Sequence, residues 1–345
     1  MRTGCVSRSA SLIASLTFVL SLAAPVLAQD CPELVGWFET PLFPYGLAVS
    51  GGYAYVASSD HPPSGLYVID VSVPSAPVEV GFVEISGIPR DVAVSGGYAY
   101  IADHSEGLRV IAVRTPSAPV DVGYIQIGGA FYVAVSGGYA YVEAGLHVID
   151  VTTPSAPVEV GFVPTGAGDV AVLGSYAYVA AREAGLRVID VSDPTAPFEV
   201  GFLNPDTLYP IESVAVSGGY AYVSFENWHG PYGLYVIDAS SPTAPVEVGF
   251  LVTGGIPSDV AVSGDYVYDA TSSGLYVIDV STPSAPVEIG FAEWFDSVDV
   301  AVSDGYVFLA AGGDAGSGLY VFRECGSFSD GFESGDTSAW TMTVP

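Results

Sequence analysis

From about residue 44 the chain runs in short bursts of alternating large apolar, small and polar positions, and no stretch of useful length carries a helical period. The bursts repeat. Ala48-Val49-Ser50-Gly51-Gly52-Tyr53-Ala54-Tyr55 recurs, with small changes, from Ala93, Ala134, Ala171, Ala215, Ala261 and Ala301. Gly65-Leu66-Tyr67-Val68-Ile69-Asp70 recurs from Gly107, Gly145, Gly185, Gly233, Gly274 and Gly318. A third phrase, Pro77-Val78-Glu79-Val80-Gly81-Phe82, recurs from Pro119, Pro157, Pro197, Pro245 and Pro286. Self-similarity at a period of about 40 residues decides the architecture before any single element does.

Each unit predicts four strands. In the second copy these are a brief inner strand near 92–94, then 98–102, 108–113 and 120–124. Ser-Gly-Gly supplies the positive φ of a tight hairpin between the first two. The proline-rich segment from Ser72 to Pro77 cannot continue a ladder and forces a turn before the last strand. Tyr53 and Tyr55 project to one face and Ala54 and Val56 to the other. Large faces therefore meet small faces of the next unit, and third strands such as 66–69 are apolar on both sides. Four short strands per repeat is the arithmetic of a β-propeller.

The third phrase has one copy too few after the second. The missing copy lies at the other end, where Pro32-Glu33-Leu34-Val35-Gly36-Trp37 leads into the first Ala-Val-Ser. A linear solenoid needs polar capping repeats, and this chain carries complementary halves instead. The expectation is an all-β, seven-bladed β-propeller of four-stranded blades over residues 29–325, closed by an N-terminal strand that completes the last blade.

Gly-Leu-x-Val-Ile-Asp-Val-Ser-x-Pro-x-x-Pro resembles the LVIVD repeat, a family of predicted propeller repeats in exported bacterial and archaeal proteins. The likeness covers nearly all of residues 31–325, although x is Tyr, Arg or His here. The resemblance implies a surface or extracellular setting and supplies no catalytic residues.

Aligned to complete repeats, Cys325 falls where Ser72 lies and Cys31 where Ala76 lies. Both flank the turn that the chain ends interrupt in the last blade, so a Cys31–Cys325 disulfide is predicted. In the chain-entropy view it is worth roughly 5 kcal/mol, and an exported protein meets the oxidising conditions it needs. Export is indicated by residues 1–28: Arg2 and Arg8, an apolar stretch over 12–27, and small residues at Val26 and Ala28 read as a signal peptide. No later run is long and apolar enough to span a bilayer. Residues 326–345 are short, polar and acidic and read as a disordered tail, with a sorting signal as the alternative.

Charge narrows the partners. There is no Lys, and after removal of Arg2 and Arg8 six Arg face 38 acids, a net −32. Such a surface repels nucleic acid and leaves an extracellular protein, peptide or glycan as the expected partner of a monomer. The outer-strand acids Glu79, Asp121, Glu159, Glu199, Glu247 and Glu288 are read as protection against edge pairing. Asp70, Asp150, Asp190, Asp238 and Asp279 are read as caps on the proline turn.

The Ser-Gly-Gly and proline turns fall on one rim and barely vary, whereas the other rim carries loops of differing length, where binding usually resides. Two features stand out there. Two residues ahead of the repeated Ala stand Asp91, Asp169, Asp259 and Asp299, with Gly46, Tyr132 and Ser213 in the other blades. In a closed ring these acids circle one channel mouth and suit Ca²⁺; the simpler alternative is that each binds local backbone N–H groups. The second feature is an aromatic patch of Tyr209, Trp228, His229 and Tyr232, with Trp294 and Phe295 further on, suited to peptide or sugar contacts. No cofactor is required, and catalytic motifs are absent: there is no Gly-x-Ser-x-Gly, no His-Glu-x-x-His and no phosphate loop. The reading is a non-enzymatic binding or scaffold module. A hydrolase or lyase using rim carboxylates and a structural surface-layer component are the alternatives.

Overall fold

The computed structural model describes residues 31–325 apart from 42, 60–62, 167, 205–209, 227–230, 294–295 and 313–315. They form seven four-stranded antiparallel sheets set round a ring, with no helix among the described residues. Blades 1 to 6 span residues 43–84, 89–126, 133–163, 170–203, 211–253 and 257–293. Blade 2 is typical: β6 (Pro89–Ser95), β7 (Tyr98–Asp103), β8 (Gly107–Ala112) and β9 (Val120–Gln126) lie in sequence order from the axis outward. In this blade the inner strand starts three residues earlier than expected, the third is displaced by one residue toward the N-terminus, and the other two run one or two residues longer.

Blade 7 joins the two ends. Strands β26 (Ser297–Ser303), β27 (Tyr306–Ala311) and β28 (Gly318–Arg323) are completed by β1 (Glu33–Glu39). Leu34 pairs with Phe322 and Trp37 with Tyr320. Cys31 and Cys325 are disulfide-bonded with their Cα atoms 5.8 Å apart, a link between residues 294 positions apart in sequence. Leu47, Ala54 and Val56 of blade 1 pack on Phe308, Ala310 and Leu319 of blade 7, so this boundary is as well filled as the rest.

The core lies between blades. Tyr55 and Val68 of blade 1 meet Ala99, Ile101 and Ile111 of blade 2, the large-on-small fit that the alternation requires. All of that set but Tyr55 are fully buried. The outer strands come equally close to their neighbours. Gly36, Gly81, Gly123, Gly161, Gly201 and Gly249 each sit where a Cβ would overlap the carbonyl oxygen of a proline in the next blade, such as Pro116 beyond Gly81. At Gly290 the carbonyl is that of Cys31.

A bulge precedes every one of those glycines. In blade 2, Val110 pairs with Gly123 but Ile111 pairs with Asp121, leaving Val122 extra. The bulge shifts the side-chain alternation by one, so that Asp121 and Tyr124, three apart, both lie beside Arg109. The guanidinium is 2.7 Å from Asp121 and 6.0 Å from the centre of the Tyr124 ring. His147 stands likewise between Glu159 at 3.1 Å and Phe162 at 4.7 Å. Arg187 stands between Glu199 at 3.2 Å and Phe202 at 5.2 Å. Tyr67 and Tyr276 meet Phe82 and Phe291 in tilted ring contacts. The variable position of the second phrase is thus a clamp, which admits a base or a tyrosine because it must meet an acid and a ring together. The outer acids do more than guard an edge.

Gly51 and Gly52 have φ of 60° and 79°, the doubly positive turn expected of Ser-Gly-Gly. Asp70 accepts the Ser72 N–H at 2.9 Å, and Asp150, Asp190, Asp238 and Asp279 repeat the arrangement. The turn-capping role read from the sequence is present in all five.

Candidate functional site

Inner strands enter the ring from the variable rim, and the residues just ahead of them line a cavity of about 280 Å³ at the channel mouth. The four aspartates form its floor. Above them every blade but the fourth contributes the preceding residue: Tyr45, Arg90, Phe131, Glu212, Ser258 and Val298. No two of these are alike. A frame of repeated acids therefore carries a wall that differs blade by blade.

The carboxylates of the floor are engaged by the backbone. Asp91 accepts the N–H of Val92 at 2.6 Å and, across the blade boundary, that of Val133 at 2.7 Å. Asp169 does the same with Val170 at 2.6 Å and Val214 at 2.9 Å. Asp259 accepts from Val260 and, at 3.1 Å, from Val300, and Asp299 accepts from Leu47 at 2.6 Å. This is the backbone-binding alternative, extended in that Asp91, Asp169 and Asp259 each serve their own blade and the next, while Asp299 serves the next alone. Among the described residues no group of three or more His, Cys, Asp or Glu is placed to hold a metal ion.

Burial pushes Asp91 up to about 7 and raises Asp259. Asp169 and Asp299 rise well above the carboxylate range, by burial first and by the Asp259 charge second. Glu212 is also raised by burial, against the pull of Arg182, whose guanidinium is 3.6 Å away. Burial raises the Tyr132 phenol as well, with the Asp169 charge adding to it. The floor therefore holds protons at pH values where surface carboxylates have lost them.

Arg90 is the exception on the wall. Its guanidinium lies 4.3 Å over the Tyr45 ring, a cation–π contact. Its Nε is buried and has no hydrogen-bond partner. Among the described ion pairs Arg109, Arg182, Arg187 and Arg323 all meet acids, and Arg90 meets none. Phe131 packs on His104 in a tilted ring contact, 4.3 Å between ring centres, and is 38% exposed at the mouth.

Two further buried acids were not singled out from the sequence. Glu143 stands where the other blades carry Ala or Ser, accepts the N–H groups of Phe131 and Gly168, and is raised by burial to about 7. Asp269 replaces a hydrophobic residue, takes a hydrogen bond from Thr253 at 3.2 Å and is pushed by burial to about 8. Each breaks the pattern of its strand, which was the available signal. Of the aromatic patch, Tyr232 begins β20 (Tyr232–Asp238) and is part-buried. Tyr209, Trp228, His229, Trp294 and Phe295 lie outside the described residues.

The LVIVD repeat model matches residues 45–84, 86–126, 127–165, 166–204, 211–253 and 254–292. The chain belongs to the LVIVD-repeat family. Its matched copies correspond closely to blades 1 to 6, while the split seventh blade goes unmatched. No curated protein matches the chain. Solved structures share the fold at low identity. The computationally designed Ika8 protein has a TM-score of 0.59 at 12% identity, over 85% of this chain and 99% of its own. BamB from Moraxella catarrhalis gives 0.56 at 12%, over 82% and 83%. A chain of the Mitotic Checkpoint Complex gives 0.66 at 11%, over 94% and 98%. Identities this low show the LVIVD protein's fold and nothing finer.

Proposed function

We propose that this LVIVD protein is an exported, non-enzymatic binding module whose funnel takes a carboxylate-bearing segment of an extracellular peptide or glycan. The observation that carries the reading is Arg90. In a chain of 38 acids, an arginine that lines a cavity and meets no acid is available to a ligand's anion, and a planar guanidinium suits a carboxylate. The Tyr45 stack holds the group in one orientation, which lowers the entropy lost on binding. A rigid ring carrying a wall that varies by blade is also the usual arrangement for recognition. The cavity is near the lower end of small-molecule sites, which favours one residue or sugar unit over an extended epitope. Binding is favoured over hydrolysis or lyase chemistry because the floor carboxylates are committed to backbone N–H groups, leaving little freedom for proton transfer to a substrate.

The test is a binding screen of the purified protein against short peptides and uronate-containing oligosaccharides, each with its carboxylate free or amidated. Binding that falls at least tenfold on amidation and in Arg90→Gln supports the reading, and the arm that binds identifies the source. Binding equal in wild type and Arg90→Gln would remove Arg90 from the site. Turnover of any bound ligand, abolished by Asp91→Asn, would favour the hydrolase or lyase alternative.

A further inference from the structure

We infer that the ring is completed by one proton, held between Asp259 of blade 6 and Asp299 of blade 7. The inference stands on counting hydrogen bonds round the channel and is independent of what enters the funnel. Each of the seven inner strands presents one backbone N–H at the residue after the acid position: Leu47, Val92, Val133, Val170, Val214, Val260 and Val300. A carboxylate has two oxygens, and Asp91, Asp169 and Asp259 each use both, one on their own blade and one on the next. An acid in every second blade would therefore suffice. Seven is odd, so alternation fails once and two acids must be neighbours.

The failure falls at blades 6 and 7. Asp259 has already supplied Val300, the donor that Asp299 would serve on its own blade, and Asp299 has only Leu47 left. Seven donors meet eight oxygens. The eighth, Asp299 Oδ1, is left without a described backbone donor, and the Asp299 and Asp259 carboxyl groups are in hydrogen-bonding contact. Two ionised carboxylates cannot make that bond, because neither has a donor. Both Asp259 oxygens already accept, so the proton resides on Asp299 and its O–H donates to Asp259.

The surroundings favour the protonated form. Asp91 faces the pair across the channel, Asp269 stands behind Asp259 on β23 (Tyr266–Thr271), and Asp169 senses the charge of Asp259. Glu212, Arg90, Tyr45 and Tyr132 line the same cavity. Neither acid of the pair has an ion-pair partner among the described residues. Loss of the proton would set two like charges in contact at a part-buried blade boundary, adjoining the blade that closes the ring. The seam is thus a pH-sensitive element: closed by a proton when acidic, strained by repulsion when alkaline.

An asparagine at 299 reproduces the protonated acid, with a carbonyl to accept from Leu47 and an amide to donate to Asp259. An asparagine at 91 cannot, because its NH₂ would face one of two N–H donors. Asp299→Asn is therefore expected to hold Tm within about 2 °C of wild type at pH 5 and to lose less Tm than wild type by pH 9. Asp91→Asn is expected to lower Tm by about 4 °C or more at about pH 8 and above, where the Asp91 carboxylate is ionised and accepts both N–H groups. Infrared spectroscopy gives a direct reading, since a protonated-carboxyl C=O band in wild type at pH 7 should weaken in Asp299→Asn. Equal destabilisation by the two substitutions, or an unchanged band, would overturn the inference. So would a rise in wild-type Tm on adding Ca²⁺ at pH 8 that Asp299→Asn abolishes, which would put a metal where the proton is placed.

Discussion

The carbonyl oxygen of Cys31 occupies the space that a Cβ would need at Gly290, as the carbonyl of Pro116 does at Gly81. The first described residue of the chain thus stands in for a proline of the repeat, and the seventh boundary has the same close approach as the other six. Packing this tight sets a clear expectation. Gly161→Ala should cost about 1–3 kcal/mol, because its methyl would meet the carbonyl of Pro194. Gly128→Ala, where nothing lies within 4 Å, should stay within about 0.5 kcal/mol. Urea unfolding of both variants checks this.

Opening the disulfide should loosen one blade before the others. With Cys31 and Cys325 both changed to Ser, stability should fall by up to roughly 5 kcal/mol. Hydrogen exchange should quicken first in the strand Glu33–Glu39, since its pairing with β28 and its packing on blade 1 then retain it without a covalent tie. Uniform quickening across all blades would contradict the picture.

Stability should decline as solutions turn alkaline. Asp91 and Glu143 lie at about 7 and Asp269 at about 8, all raised by burial. Acids raised above their unfolded values make the folded chain bind more protons than the unfolded one. Their contribution is therefore whole below the ordinary carboxylate range and lost as pH climbs through about 7 to 8. Tm should fall between pH 5 and 9, and Asp269→Asn should flatten the fall near pH 8. Calorimetry across that range is the measurement.

The acid limb has a different origin. Asp103 is fully buried, and although burial opposes its charge, N–H groups of Ile88 and Ser105, the Ser105 hydroxyl and Arg109 hold it below the usual range. Its contribution is present above the unfolded value and lost as pH falls through the folded one. Arg109 also pairs with Glu106 and Asp121. Arg109→Gln should cost about 1–3 kcal/mol at pH 7 and move acid unfolding to higher pH. Circular dichroism during acid titration would show it.

The ring was legible because one unit is written seven times, and a copy displaced from one end to the other has few physical explanations besides closure. The Cys31–Cys325 pairing followed from the same alignment. The funnel was less legible. The acids were visible as a repeated position, but whether they face a ligand or the backbone depends on where the neighbouring blade's N–H groups fall, which no single repeat contains. Tyr45, Arg90, Phe131 and Glu212 were passed over because they differ in every copy. At the mouth of a ring of identical frames, that difference was itself the signal. The pairing of Arg109 with Asp121 and Tyr124 was hidden by the bulge at Val122, since strict alternation puts residues three apart on opposite faces.

Circular completion also orders events in time. The strand Glu33–Glu39 leaves the ribosome before every other strand of the blade it finishes, and its partner β28 comes after all the remaining strands. It must wait, unpaired and apolar on one face, until the rest of the wheel has been made. Loop closure over nearly the whole chain is the most entropically expensive contact the molecule makes, so the last strand to find its place is the first to be born.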